Sequence, residues 1–199
     1  MQRLVVGSLM LLVAALASSG CDQTRQASAQ PARVDSIVPR AVALERFRVG
    51  MPPVESLSGG ATSRDALVRR FARALEARDT AALEQMVLTK AEYAWLYYPT
   101  NPQGLPPYDL SPGLLWFMIE SRGTWRLGHA LEERGGRPLG YVGHDCDPTP
   151  SIEGANRVYG PCLVRRVETP GDTVAERLFG LIIERDGRFK FVSYANKLD

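Results

Sequence analysis

The segment LFGLIIERDGRFKFVSYA, residues 178–195, constrains the fold more than any other stretch of this chain. Its Asp186-Gly187 dipeptide is typical of a two-residue β-hairpin turn, in which the backbone adopts positive φ. Pairing outward from this turn aligns Ile183 with Lys190, Leu181 with Val192 and Phe179 with Tyr194. Both faces of the predicted hairpin are apolar near the middle. We therefore expect helices on one face and partial cover on the other.

Helical patterns precede this hairpin. In the segment SRDALVRRFARALEARD, apolar residues recur at helical spacing behind a capping Thr62 or Ser63. A second short helix is predicted to begin at Asp79 or Thr80, and TKAE, residues 89–92, matches a capping box.

A third helical region follows a loop. The prolines of residues 99–112 predict an extended loop, and Ser111-Pro112 predicts the start of a helix. This helix ends at Gly135-Gly136, either unbroken or with an interruption at Gly123. The later segments PLGYVGHDC and RVYGPCLVRRVE have the composition of strands. Helices first and antiparallel strands last predict one α+β domain over residues 62–199.

The N-terminus has the layout of a secretory signal peptide, with Arg3 followed by an uncharged apolar run. This run is short for a transmembrane helix. The residues LASSGC resemble the lipobox of bacterial lipoproteins. That resemblance implies a signal peptide at residues 1–20, lipid on Cys21 and an extracytoplasmic location, in the periplasm or on the outer face of the cytoplasmic membrane. Secretion with cleavage elsewhere is the alternative. Residues 21–40 are predicted to be a flexible tether, and residues 41–61 either an ordered arm or a further linker.

The charge balance argues against two classes of partner. Removal of residues 1–20 removes one cation, Arg3, and leaves 23 basic against 22 acidic residues. A nearly neutral chain without long runs of like charge does not predict binding to nucleic acid or polybasic attachment to anionic lipid.

The cysteines predict a structural bond. If Cys21 carries lipid, Cys146 and Cys162 form the one remaining pair, in a compartment where disulfides persist. His144 and nearby carboxylates raise the alternative of a metal or catalytic site. However, the stretch lacks the spaced ligand pairs of a zinc site, and a catalytic thiolate is disfavoured beside a second thiol. A disulfide between Cys146 and Cys162 is therefore the main prediction, and no metal ligand is assigned.

The order of elements from SRDALVRRFARALEARDTAALEQMV to GRFKFVSYANKL resembles the nuclear-transport-factor-two-like (SnoaL, ketosteroid-isomerase-like) superfamily over residues 62–199. The resemblance implies N-terminal helices packed on a curved antiparallel sheet of about four or more strands. It also implies a cone-like shape with a hydrophobic pocket. Members of that superfamily include isomerases and hydratases, together with proteins that bind without reacting.

Four residues are candidates to line such a pocket: Tyr97, Trp116, Trp125 and His129. Core packing explains the aromatic residues equally well. The chain has no hydrolase, metalloprotease or phosphate-loop motif, so we assign no catalytic residue and no cofactor.

These patterns predict a lipid-anchored, non-catalytic domain that binds a small hydrophobic ligand or a protein partner. A homodimer through an exposed sheet face is one form of the second case. The alternatives are an isomerase- or hydratase-like enzyme with His129 or a buried Asp as base, and a structural lipoprotein of envelope assembly.

Overall fold

The computed structural model describes residues 38–195, in which all the helices precede all the strands. The helices are α1 (Arg40–Arg48), α2 (Arg64–Ala77), α3 (Thr80–Gln85), α4 (Lys90–Glu92), a π-helix (Tyr93–Tyr97), 3-10 turns (Tyr98–Thr100 and Pro102–Gly104) and α5 (Pro112–Arg134). The strands are β1 (Tyr141–Cys146), β2 (Ser151–Glu153), β3 (Asn156–Tyr159), β4 (Cys162–Thr169), β5 (Asp172–Glu176), β6 (Ile182–Arg185) and β7 (Arg188–Phe191). The predicted α+β class is confirmed. Residues 1–20, Cys21 and most of the predicted tether lie outside the described residues.

The predicted helix caps are present. The Ser63 hydroxyl accepts a hydrogen bond from the backbone N–H of Ala66 at the start of α2, and the Asp79 carboxylate caps α3. At α4, the Thr89 and Glu92 side chains form the reciprocal capping box. Each cap pairs a helix N–H that has no partner within the helix.

Helix α5 is continuous through Gly123, so the alternative of an interruption there is wrong. It begins with the Ser111 side chain as cap and Pro112 as first residue, and it stops at Gly135. Although α5 has 23 residues, no helix in residues 38–195 is both long enough and apolar enough to cross a bilayer.

The strands form two antiparallel sheets instead of one. Their orders are β1-β4-β5 and β2-β3-β6-β7. Gly160-Pro161 divides the predicted strand RVYGPCLVRRVE into β3 and β4, because a proline lacks the N–H that would continue the ladder. The chain leaves one sheet at this dipeptide and enters the other. The predicted register of the last hairpin is confirmed, with Ile183 opposite Lys190.

The two faces of the β6-β7 hairpin contact separate apolar cores. Ile182 and Phe191 belong to a core that includes Phe71 of α2. Ile183 and the following Val192 belong to a second core, which contains the π-helix and the first half of α5. Both faces are thus covered by helices, which explains why the hairpin is apolar on both sides.

The segment predicted as an N-terminal arm begins with α1 and continues as extended chain to Ala61. Leu44 and Leu57 are buried in the second core. Ala61 exchanges two backbone hydrogen bonds of 2.9 Å with Phe189 of β7.

Candidate functional site

A half-open groove of about 350 Å³ lies between α5 and the end of the β6-β7 hairpin. Its far wall is the segment that links α3 to α4. The Leu88 N–H donates to the Phe191 carbonyl at 2.9 Å, and the Phe191 N–H donates to the Met86 carbonyl at 2.8 Å. These hydrogen bonds hold Val87 and Leu88 beside the chain that continues from β7 through Ser193.

The groove has an apolar interior and a polar edge. Its apolar lining comes from three parts of the chain: Val87 and Leu88; Trp116, Ile119 and Leu127 of α5; and Val192. Thr89, Thr124 and Ser193 add hydroxyl groups. Apolar walls with a few polar groups are typical of sites for small molecules.

Gly123 shapes the floor of this groove. A Cβ atom at this position would lie 3.3 Å from the Ser193 Cβ and 3.6 Å from the Tyr194 backbone nitrogen. The missing side chain therefore lets α5 pack closely on the chain after β7. Ile119 and Leu127, which lie about one helical turn before and after Gly123, also line the groove.

The charged groups of the groove stand on its rim. Glu84, Lys90 and Glu120 line it and are exposed residues. The lining also contains one buried titratable residue, Tyr194, whose hydroxyl donates to the Leu83 carbonyl at 2.8 Å. Burial raises the pKa of this phenol well above its ordinary value of 10.0. The phenol is therefore held neutral and bonded to backbone.

The structure does not bring the four predicted pocket residues together. Trp116 lines the groove, and its ring centre lies 5.1 Å from that of Tyr93. Tyr97 is 1% exposed within the second core. Trp125 and His129 stack on the outer side of α5 with ring centres 5.6 Å apart, and the His129 Nε2 lies 3.1 Å from a Glu133 carboxylate oxygen.

A buried carboxyl lies beside Tyr97. Glu153 of β2 is buried and accepts a hydrogen bond from the Asn101 Nδ2 at 3.3 Å. Burial raises the pKa of Glu153 to about 7, against the opposing effect of this hydrogen bond. Burial, and then the Glu153 charge, raise the pKa of Tyr97. The pair resembles acid–base machinery in its chemistry, but neither side chain faces the groove.

A second buried polar pair joins Glu92 to Lys190, at 2.8 Å between the Oε2 and Nζ atoms, and both side chains are 1% exposed. Glu92 also accepts from the Ser58 N–H at 2.7 Å and from the Thr89 N–H at 2.8 Å. The sequence contained a signal for this pair, because Lys190 is a cation opposite Ile183 in the apolar middle of the hairpin. A buried cation in that position requires a carboxylate partner.

The predicted disulfide is confirmed. Cys146 and Cys162 are bonded directly across β1 and β4. His144 contacts Tyr141 instead, with 3.0 Å between its Nδ1 atom and the phenol oxygen. Among residues 38–195, no group of three or more His, Cys, Asp or Glu side chains is placed to hold a metal ion.

Comparison of the chain with protein-family models, with curated proteins and with solved structures finds no match. The groove is therefore interpreted from its own geometry. Of its lining, the sequence indicated Trp116 but missed Val87, Leu88 and Ser193. The hydrogen bonds between the α3-α4 link and the end of β7 place Val87 and Leu88 beside the chain that packs on α5, a tertiary arrangement that sequence periodicity does not report.

Proposed function

We propose that this chain is an extracytoplasmic bacterial lipoprotein whose domain binds a small apolar or amphipathic molecule in the groove beside α5. One observation carries the binding proposal: the interior is apolar, and the charged side chains stand on the rim. An apolar portion of a ligand would displace water from Val87, Trp116 and Leu127, which line the groove and are partly exposed. Each buried CH₂ group contributes about 0.8 kcal/mol.

Binding without reaction fits this groove better than acid–base catalysis. A general acid or base must lie within hydrogen-bond reach of the reacting group. The hydroxyl of Tyr194 is bonded to a backbone carbonyl. Glu153 and Tyr97, which have the pKa shifts typical of such chemistry, lie elsewhere in the core.

The order of helices and antiparallel strands supports the likeness to cone-shaped ligand-binding domains. The disulfide supports an oxidising compartment. The lipid anchor depends on the LASSGC sequence, and mass spectrometry of the mature N-terminus tests it directly. An unmodified Cys21 would refute the anchor.

Ligand binding is tested with the uncharged apolar fluorophore N-phenyl-1-naphthylamine, titrated into the unlipidated mature chain, residues 22–199. We expect saturable enhancement of its emission. Val87→Phe fills the groove and should weaken binding about tenfold, equivalent to about 1.4 kcal/mol. Val142→Phe is the matched control, because it enlarges an exposed valine of β1 outside the groove. Equal affinity of the two variants and the wild type would exclude the groove as the site.

A further inference from the structure

An exposed apolar surface lies on the side of α5 that faces away from the cores. Leu114, Phe117, Ser121, Trp125 and Gly128 follow one another at spacings of three or four residues, and all are exposed. They therefore form one uncharged helix face. Phe117 is 64% exposed and Trp125 is 63% exposed.

The loop before α5 supplies further exposed apolar residues. Residues 105–108, with the sequence LPPY, are all exposed, and Tyr108 is 66% exposed. We call this loop and the uncharged face of α5 the apolar platform. Large exposed apolar patches mark sites of interaction with a protein or a membrane.

The residue types of the platform suit a lipid interface. Tryptophan and tyrosine are enriched at the headgroup level of bilayers, because their rings are apolar and their N–H and O–H groups are polar. The Arg126 guanidinium lies 4.9 Å from the Trp125 ring centre, where it could reach lipid phosphates.

The first helix of the described chain is connected to the platform loop through Tyr98. Near the start of the described chain, the Arg40 guanidinium donates to the Tyr98 carbonyl at 2.9 Å and lies over the Tyr98 ring. The Tyr98 hydroxyl in turn donates to the Leu110 carbonyl at 2.8 Å. A Cβ on Gly104 would lie 2.9 Å from the same ring. Tyr98 thus connects the first turn of α1 to Gly104 and Leu110, which flank the platform loop.

This connection places a bilayer within reach. If the 17 residues from Cys21 to Ile37 form the flexible tether that their polar composition predicts, they would span a root-mean-square distance of roughly 20–25 Å. A bilayer held at that distance acts at high effective concentration, so a surface of modest affinity would dock on it.

We infer that the apolar platform docks the domain on the headgroup region of the bilayer that holds Cys21. The inference rests on the lipid anchor of the proposed function. Phe117, Trp125 and Tyr108 would enter the interface, whereas the groove remains on the opposite side of α5. The face would bury its aromatic rings without crossing the bilayer.

The test uses the full lipidated chain in vesicles of phosphatidylethanolamine, phosphatidylglycerol and brominated phosphatidylcholine, at fewer than one chain per vesicle. Bromine quenches tryptophan fluorescence only at close approach. Comparison with the Trp125→Phe variant identifies the part of the fluorescence and of its quenching that comes from Trp125. We expect brominated lipid to quench Trp125 and the quenching to be lost in a Tyr108→Asp, Phe117→Asp double variant. Val142→Asp, at an exposed site on β1, should keep it.

The outcomes separate docking from anchoring. If the chain floats with the vesicles but Trp125 emits equally in brominated and ordinary lipid, the docking inference is overturned while the anchor stands. If the chain does not float, both the anchor and the inference fail. Ligand binding in the groove is unaffected by that result, because it is measured in the unlipidated chain. If brominated lipid does not quench Trp125 and the Trp125 emission changes only at high protein density, the platform contacts a second copy of the chain and the docking inference is overturned. Unchanged urea midpoints in the variants confirm that they fold.

Discussion

At the residue scale, the polar side chains with the strongest effect on stability are those buried against each other. Glu92 and Lys190 connect the capping box of α4, the arm at Ser58 and the centre of β7. Removal of one member would leave a buried charge with incomplete compensation. Such changes typically cost about 3–5 kcal/mol.

We therefore expect Lys190→Met to lower the free energy of unfolding by about 3–5 kcal/mol, measured by urea denaturation. The Glu92→Gln, Lys190→Met double variant should recover a large part of that loss, because it leaves no unpaired charge. Arg69→Met is the control, since it breaks an exposed ion pair of 2.7 Å with Asp65. Exposed pairs contribute about 0–1 kcal/mol. A loss in Lys190→Met no larger than this control would contradict the argument.

Glu153 predicts that the free energy of unfolding depends on pH, because its buried carboxyl has no cationic partner among its hydrogen bonds in the described part of the chain and holds its proton to higher pH. Its pKa is about 7 in the folded chain against an ordinary value of 4.5, so between these values the folded state binds more protons than the unfolded state. The free energy of unfolding must therefore fall as pH rises from 4.5 through 7. Glu153→Gln should remove this contribution and become relatively more stable than wild type across that range, by about 1–2 kcal/mol after allowance for solvent screening.

Urea midpoints at a series of pH values measure this difference. Glu132→Gln on the exposed side of α5 provides a control without burial. A constant offset between Glu153→Gln and wild type from pH 4 to pH 8 would exclude the buried carboxyl as the origin of the pH dependence.

At the element scale, the π-helix Tyr93–Tyr97 depends on side chains from outside its own segment. The Arg48 Nε and Nη2 atoms of α1 donate to the Ala94 carbonyl at 3.2 and 3.0 Å. The Asn156 Nδ2 atom of β3 donates to the Leu96 carbonyl at 2.8 Å. A π-helix is rare because its geometry is unfavourable without such support.

Arg48→Ala should therefore destabilise the domain by about 1.5–3 kcal/mol, the range for a hydrogen bond to a charged group. It should also accelerate hydrogen exchange at the Tyr98 N–H, which closes the π-turn on the Tyr93 carbonyl. Arg46→Ala, an exposed arginine of the same helix, is the matched control. Exchange at Tyr98 that is equally fast in both variants would show that α1 does not support the π-helix.

The elements that local sequence determines were predicted correctly, and those that depend on distant partners were not. Ser63, Thr89 and Ser111 act on backbone groups within three residues, and Asp186-Gly187 fixes its own turn. In contrast, the π-helix accepts hydrogen bonds from Arg48 of α1, and the α1 segment was predicted only as an arm or a linker. The division into two sheets at Gly160-Pro161 also depends on which strands β3 and β4 find as partners.

The candidate site was less predictable for the same reason. Aromatic residues before and after the proline-rich loop were candidates to line one pocket, with core packing as the alternative, and they separate according to helix face and burial. Trp116 faces the groove, Trp125 faces outward, and Tyr97 packs beside Glu153. The spacing of apolar residues in the sequence shows which residues share one face of a helix. It does not show which other element that face contacts, because tertiary packing determines the contact.

At the scale of the whole molecule, α5 separates two surfaces. Trp116, Ile119 and Gly123 border the groove on one side, and Phe117 and Trp125 occupy the platform on the other. The continuous helix fixes the distance between these surfaces, because its hydrogen bonds run through Gly123 without interruption. Ligand binding and membrane docking would then be independent properties of one rigid element.

This independence has a measurable consequence. In the unlipidated chain, Tyr108→Asp with Phe117→Asp should leave the affinity for N-phenyl-1-naphthylamine within about twofold of wild type, because distant sites without shared partners have additive effects. In the lipidated chain, Val87→Phe should weaken ligand binding but retain the quenching of Trp125 by brominated lipid. If the platform variant lowered ligand affinity as strongly as Val87→Phe, the two surfaces would be coupled. Helix α5 would then move as a whole when the groove is occupied.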